Sequence, residues 1–363
     1  MNDKAYFKSL DGLRGLAAIA VALFHWLLSF SGYLAVDFFL VLSGFILAHR
    51  YLYTDRPVSA WKFSVSRIAR LYPMHLFGLF SYLIVYTMIV NDIPRYRDGT
   101  FFTFLQQLTL THNIGLNRQS LTWNAPSWSI SVEFWLNIVF FCFIRRHTSS
   151  LVLLLMSVTG LTVIHNLSGT LDTTHQNYFQ VVNSGLLRGW SAFVLGILAY
   201  RAWRLLRGIS WPPILALSVE GLLCVLLWVI FFKLNGNWRS AEIFAPFAFA
   251  AIVVVFALEQ GLLAWLLRKL QWLGTISYSI YLNHLVLIML IDSIMGHLGY
   301  SRQLLTLLYL PLLLAYSSMT YRWVEVPGKQ LIRHLGKRME QLASSASHLP
   351  EKPNTALSSA ADK

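Results

Sequence analysis

"LDGLRGLAAIAVALFHWLLSF", Leu10 to Phe30, decides the fold. Spanning the hydrocarbon core of a bilayer as a helix takes about 20 mostly apolar residues, and this run supplies them. It nevertheless carries Arg14 and His25. An ionisable group inside a membrane is costly, and such groups face a bundle interior or a water-filled cavity. Eleven residues at about 100° each make three turns plus roughly 20°, so both side chains project from one helix face, about 16 Å apart along the axis.

The rest of the chain agrees with a membrane reading. Of 363 residues, 56% are apolar and only 12% charged. A soluble chain carries about 25% charged residues. The apolar runs predict about ten spans, at 13–30, 33–49, 74–91, 129–146, 150–166, 183–200, 212–232, 243–258, 273–291 and 303–322. The expected fold class is therefore all-α, a polytopic membrane protein. The first run reads as a span and not as a cleaved leader, because it contains Arg14 and ends without a small-residue cleavage pattern.

Charge sets the expected orientation. With the N-terminus inside, cytoplasmic segments hold 21 Lys and Arg and external ones hold 6, while Arg14 and Arg188 lie within spans. The positive-inside rule then places both termini in the cytoplasm. The same bias accounts for the net charge of +13 without a nucleic-acid partner. Cys142 and Cys224 both fall inside spans, which predicts neither a disulfide framework nor a cysteine metal site. The expected organisation is one transmembrane unit over 1–335 and a cytoplasmic tail over 336–363. That tail is expected to be disordered, its residues after about Gln341 being small, polar and proline-containing. The external connection 92–128 contains "TFFTFLQQLTLT", apolar but too short to span, which predicts a re-entrant or interface-lying helix.

Polar residues inside the spans nominate a site. A short external turn joins His25 to Asp37 and makes the first two spans antiparallel neighbours, so Asp37 is expected at His25's depth. A carboxylate beside an imidazole fixes its tautomer and makes it a better base. Glu133 sits about one turn inside the fourth span and is expected in the same cluster. Arg67 and Arg70, three apart in the loop before the third span, share a face if that stretch is helical. Arginine forks bind phosphate oxygens bidentately. Ser277, Tyr281 and His284 are spaced by four and three on one helix face. Glu325 and Pro327 stand where the last span meets the cytoplasm. Structural alternatives exist for each: snorkelling for Arg14, an interhelical hydrogen bond for His25, a cap for Asp37, the helix dipole for Glu133 and inside-positive bias for the loop arginines.

Taken together, Arg14 to His25, "VDFFLVLSGF", "RIAR", "WSISVE", "SYSIYLNH" and "VEVP" occur in that order. This series resembles the acyltransferase-3 family of membrane acyltransferases, from about Asp11 to Gln330. Phe134 stands where many members place a second acidic residue after Glu133. The resemblance implies transfer of an acyl group, commonly acetyl, from cytosolic acyl-CoA to a hydroxyl of a cell-surface carbohydrate or its lipid-linked sugar precursor, in the bacterial inner membrane. It implies His25 as the catalytic histidine, and Arg14, Arg67 and Arg70 in catalysis or donor binding. It assigns no role to Glu325. Acyl-CoA is then the donor substrate, and no metal is expected.

On this reading His25 takes the hydroxyl proton directly or carries the acyl group covalently, oriented by Asp37 or Glu133. Three other readings stay open, one of them a non-catalytic scaffold in envelope polysaccharide assembly whose polar sites are structural. A proton-coupled transporter would also use intramembrane Arg, His, Asp and Glu, although the chain lacks a repeated half. An acyltransferase acting on a lipid or a small molecule would carry the same motifs.

Overall fold

The computed structural model describes residues 6–53, 58–117, 121–144, 148–179, 181–234, 236–296 and 299–347. It is a helical bundle. Helices α1 (Lys8–Leu27), α2 (Ala35–Tyr51) and α3 (Ala60–Val90) are followed by the short α4 (Thr100–Leu108). Next come α5 (Trp128–Val139), which continues as a π turn over Phe140–Ile144, and α6 (Ser150–Ser168). A two-residue hairpin, β1 (Asn177–Tyr178) against β2 (Val182–Asn183), leads into α7 (Ser184–Leu206). The chain then forms α8 (Pro213–Phe232), α9 (Ala245–Leu258), α10 (Leu262–Lys269) and α11 (Gln271–Met295). It ends with α12 (Arg302–Thr320), a second π turn over Tyr321–Glu325, and α13 (Val326–Ser347).

Among the described residues, nine helical stretches are long and apolar enough to cross a membrane. The expected span at 183–200 corresponds to α7, which is not one of the nine. It carries Arg188, Ser191 and three glycines, but most of its length is buried. Flanked by α2, α6 and α9, it presents its polar and small residues to other helices instead of lipid. α4 bears out the short non-spanning helix, with Phe101 and Phe102 exposed and Thr103, Gln106 and Gln107 buried.

Close approach holds α7 to α2. A Cβ on Gly196 would overlap the Val41 carbonyl oxygen, and one on Gly44 would overlap that of Phe193. By contrast, Gly221 in α8 has open space where a Cβ would go. Gly196→Ala is therefore expected to destabilise the bundle by about 1–3 kcal/mol through overpacking. Gly221→Ala should be neutral or stabilising, since alanine is the better helix former. Thermal unfolding of the detergent-solubilised chain compares the two, and equal effects would contradict the helix contact.

Two expected boundaries move. The loop read as preceding the third span is the first half of α3, a 31-residue helix. Ser59 Oγ caps it by accepting from the Lys62 amide at 3.4 Å, and the helix runs through Pro73. The tail expected from 336 begins as helix: α13 reaches Ser347, and residues 348–363 lie outside the described ones. α13 is anchored on α3, where Trp61 Nε1 donates to the Gly336 carbonyl at 3.0 Å and Lys62 pairs with Glu340 at 3.3 Å. Tertiary support of this kind outweighs a composition poor in apolar residues.

Candidate active site

α1 and α11 run parallel and pack along their length, because Gly274 lets the Asp11 backbone approach where a Cβ would collide with it. The two polar stripes read from the sequence meet across this contact. Arg14 donates from Nε to Ser277 Oγ at 3.0 Å and from Nη2 to the Gly274 carbonyl at 2.7 Å, with Asp11 Oδ1 3.4 Å from Nη1. Ser277 in turn donates to the Gly274 carbonyl at 2.8 Å. About two turns further along α11, His284 meets His25 with Nε2 3.3 Å from Nδ1 and ring centroids 4.9 Å apart. His25 Nδ1 also lies 3.0 Å from the Val21 carbonyl.

A cavity of about 760 Å³ opens beside Arg14. Its walls include Arg14, Arg50, Arg67, Arg70, Asp11 and Glu133, so four guanidiniums face two carboxylates. α3 delivers Arg67 and Arg70 from one face, as their spacing predicted. Arg67 is 8% exposed, its Nη2 donates to Ser66 Oγ at 3.2 Å, and its Nε has no hydrogen-bond partner. Among the described residues, neither Arg67 nor Arg70 forms an ion pair with a carboxylate. Glu133 accepts from Ser43 Oγ at 2.8 Å.

Tyr281 also lines the cavity; its hydroxyl donates to the Pro126 carbonyl at 2.8 Å and lies 2.8 Å from Ser129 Oγ. The Tyr281 carbonyl oxygen lies 2.6 Å from His284 Nδ1. The cavity wall is thus linked to His25 through Tyr281 and His284. His25 itself is partly buried and is not one of the wall residues.

The expected carboxylate partners of His25 are engaged elsewhere. Arg188 Nε donates to Asp37 Oδ1 at 2.9 Å and Nη2 to Oδ2 at 2.6 Å, and both side chains are buried. Arg188 Nη1 also donates to the Leu171 carbonyl at 2.9 Å, and Nη2 to that of Tyr33 at 3.0 Å. Glu133 faces the arginine-lined cavity and not the histidine. The three residues expected at one depth are therefore divided among three places. Glu325 is buried by the second π turn, accepts from Ser279 Oγ at 2.9 Å and lies 3.9 Å from Lys329 Nζ.

Sequence reading missed Arg50 as a cavity residue and placed His284 on a polar helix face without assigning it a role. The spacings differ, seven residues from Ser277 to His284 against eleven from Arg14 to His25, so neither stripe announces its pairing with the other. Among the described residues, no three His, Cys, Asp or Glu side chains converge as metal ligands would.

Comparison with known proteins gives the site a context. A family model described as an acyltransferase domain matches residues 7–322. A picA-locus protein of Rhizobium radiobacter is 31% identical over 179 residues, covering 44% of this chain and 93% of that protein. The peptidoglycan O-acetyltransferase OatA of Listeria monocytogenes is 24% identical, over 79% of this chain and 50% of its own length. The O-acetyltransferase OatA of Staphylococcus aureus strain MRSA252 is 24% identical over 94% of this chain and 61% of its own length. The chain thus spans about half to three-fifths of those O-acetyltransferases. No solved structure matches.

Proposed function

The chain belongs to the acyltransferase-3 family of membrane acyltransferases, and on that premise we propose that it moves an acyl group, by default acetyl, from cytosolic acyl-CoA to a hydroxyl of a cell-surface polysaccharide or its lipid-linked precursor in the bacterial inner membrane. The O-acetyltransferases it resembles support the acceptor class. The observation that carries the donor is the cavity with four guanidiniums, three of which, Arg50, Arg67 and Arg70, form no ion pair with a carboxylate among the described residues. A buried guanidinium left unpaired is destabilising, and an anionic ligand relieves that cost. Phosphate oxygens suit it, because guanidinium forks bind them with charge-assisted hydrogen bonds.

The positive-inside count supports a cytoplasmic position for this cavity, where acyl-CoA is available. Arg14, Arg67 and Arg70 then hold the donor's phosphates, with Arg14 fixed by Ser277 and Gly274. The donor's arm extends along the α1–α11 contact towards His25. His25 takes the proton of the acceptor hydroxyl as its oxygen attacks the thioester carbonyl. The carbon–sulfur bond breaks, the thiolate of CoA leaves, and the proton held by His25 returns to sulfur. A new ester and free CoA result, with no redox change.

Radiolabelled acetyl-CoA supplied to membranes containing the chain tests this reading. Alkali-labile label should appear in polysaccharide or lipid-linked sugar fractions. Each charge-assisted hydrogen bond contributes about 1.5–3 kcal/mol, so Arg67→Ala and Arg70→Ala should each weaken acyl-CoA binding by about 10- to 100-fold. Turnover at saturating donor should change much less. If loss of either arginine removes turnover and leaves donor affinity intact, the cavity is not the donor site.

A further inference from the structure

We propose that His284 is a positioning residue for His25: it fixes the proton of the His25 ring on Nδ1 and leaves Nε2 as the atom that accepts a proton. The inference rests on the reading of His25 given above and adds the group that orients it, in place of the carboxylate expected from the sequence.

Hydrogen-bond chemistry at four atoms carries the assignment. The Tyr281 carbonyl oxygen can only accept, and His284 Nδ1 lies 2.6 Å from it, so His284 Nδ1 bears a hydrogen. His284 has no solvent-exposed surface and, among the described residues, no carboxylate partner, so a second proton would be a buried unpaired charge. Its Nε2 is therefore a lone pair, directed at His25 Nδ1 from 3.3 Å. The Val21 carbonyl oxygen approaches the same Nδ1 at 3.0 Å. With the His25 proton on Nε2, three lone pairs would converge with no hydrogen between them. With the proton on Nδ1, one N–H serves two acceptors.

A neutral imidazole carries one N–H and one acceptor nitrogen, so the arrangement settles which is which. Nε2 of His25 is left with its lone pair. When it accepts the hydroxyl proton, the ring becomes an imidazolium whose Nδ1–H still faces two acceptors. Hydrogen bonds from a charged donor are stronger than those from a neutral one, so both contacts tighten as charge develops. His284 thus favours the protonated intermediate without a buried carboxylate. Because the Tyr281 that fixes the His284 tautomer also walls the donor cavity, the backbone of α11 ties donor site and base together.

Nitrogen NMR of the full chain labelled at its histidine rings reads the tautomer directly, with His25 assigned by the signals missing in His25→Ala. A protonated Nδ1 and a bare Nε2 are expected. A protonated Nε2 overturns the proposal, and this measurement needs no His284 variant to fold. Kinetics supply the second arm. His284→Leu removes the acceptor and should lower kcat for acyl transfer by about 10- to 100-fold, with the KM for acyl-CoA little changed. His284→Gln, whose amide oxygen can accept from Nδ1, should recover most of that loss. A leucine variant as active as wild type, or leucine and glutamine variants equally impaired, would also overturn it. Full transfer by His25→Ala with the expected tautomer would instead reject His25 as the base while leaving the His25–His284 contact in place.

Discussion

Replacing His25 with alanine should lower acyl transfer by about 10²–10⁴-fold, the range a positioned general base contributes, and leave acyl-CoA binding intact. The expectation separates two functions that lie at different places in the bundle. The arginines line the cavity, and His25 stands beyond Tyr281 and His284, outside its walls. A donor held by guanidinium contacts therefore loses nothing when the imidazole is removed. The acceptor hydroxyl loses its proton acceptor, and an alcohol attacks a thioester slowly without one. The measurement is alkali-labile label formed from radiolabelled acetyl-CoA at matched expression, paired with binding of CoA to the same preparations. Loss of label with loss of CoA binding would make His25 a structural element of the cavity. Label undiminished by the substitution would mean that another group takes the proton.

The fold was legible where it depended on local sequence. Bilayer length and hydropathy located the spans, and the spacing of Ser277, Tyr281 and His284 put them on one face of α11, from which Ser277 and His284 reach α1. Local signals misled where tertiary contacts override them. The stretch before residue 74 reads as a loop, yet α3 runs through it and through Pro73, with Gly328 of α13 packed on the proline ring. The polar start of the tail reads as disorder, yet α13 is anchored on α3 through Trp61 and Lys62. The site was legible residue by residue and not pair by pair. Asp37 and His25 are near each other in sequence, which suggested a carboxylate–imidazole pair. Their partners come from 151 and 259 residues downstream, and no periodicity within one span announces such contacts.

Asp37→Ala should destabilise the protein by about 3–5 kcal/mol, the cost of leaving a buried partner uncompensated. Arg188 is the group left behind. Two of its hydrogen bonds go to the Asp37 carboxylate and two to backbone carbonyls, which are dipoles and cannot neutralise it. A large fall in folded yield and in unfolding temperature of the detergent-solubilised chain is expected. Loss of activity in this variant would by itself say nothing about catalysis. The combination Asp37→Leu with Arg188→Met is the discriminating variant, since replacing both members of a buried ion pair by apolar residues is often neutral or stabilising. Recovery of stability together with acyl transfer would make the pair a strut between α2 and α7, with no part in orienting His25. Recovery of stability without transfer would restore the carboxylate to the reaction, as proximity in sequence had suggested. The geometry favours the first result, because both Asp37 oxygens accept from a guanidinium held in four hydrogen bonds, while the hydrogen-bond partners of the His25 ring are Val21 and His284.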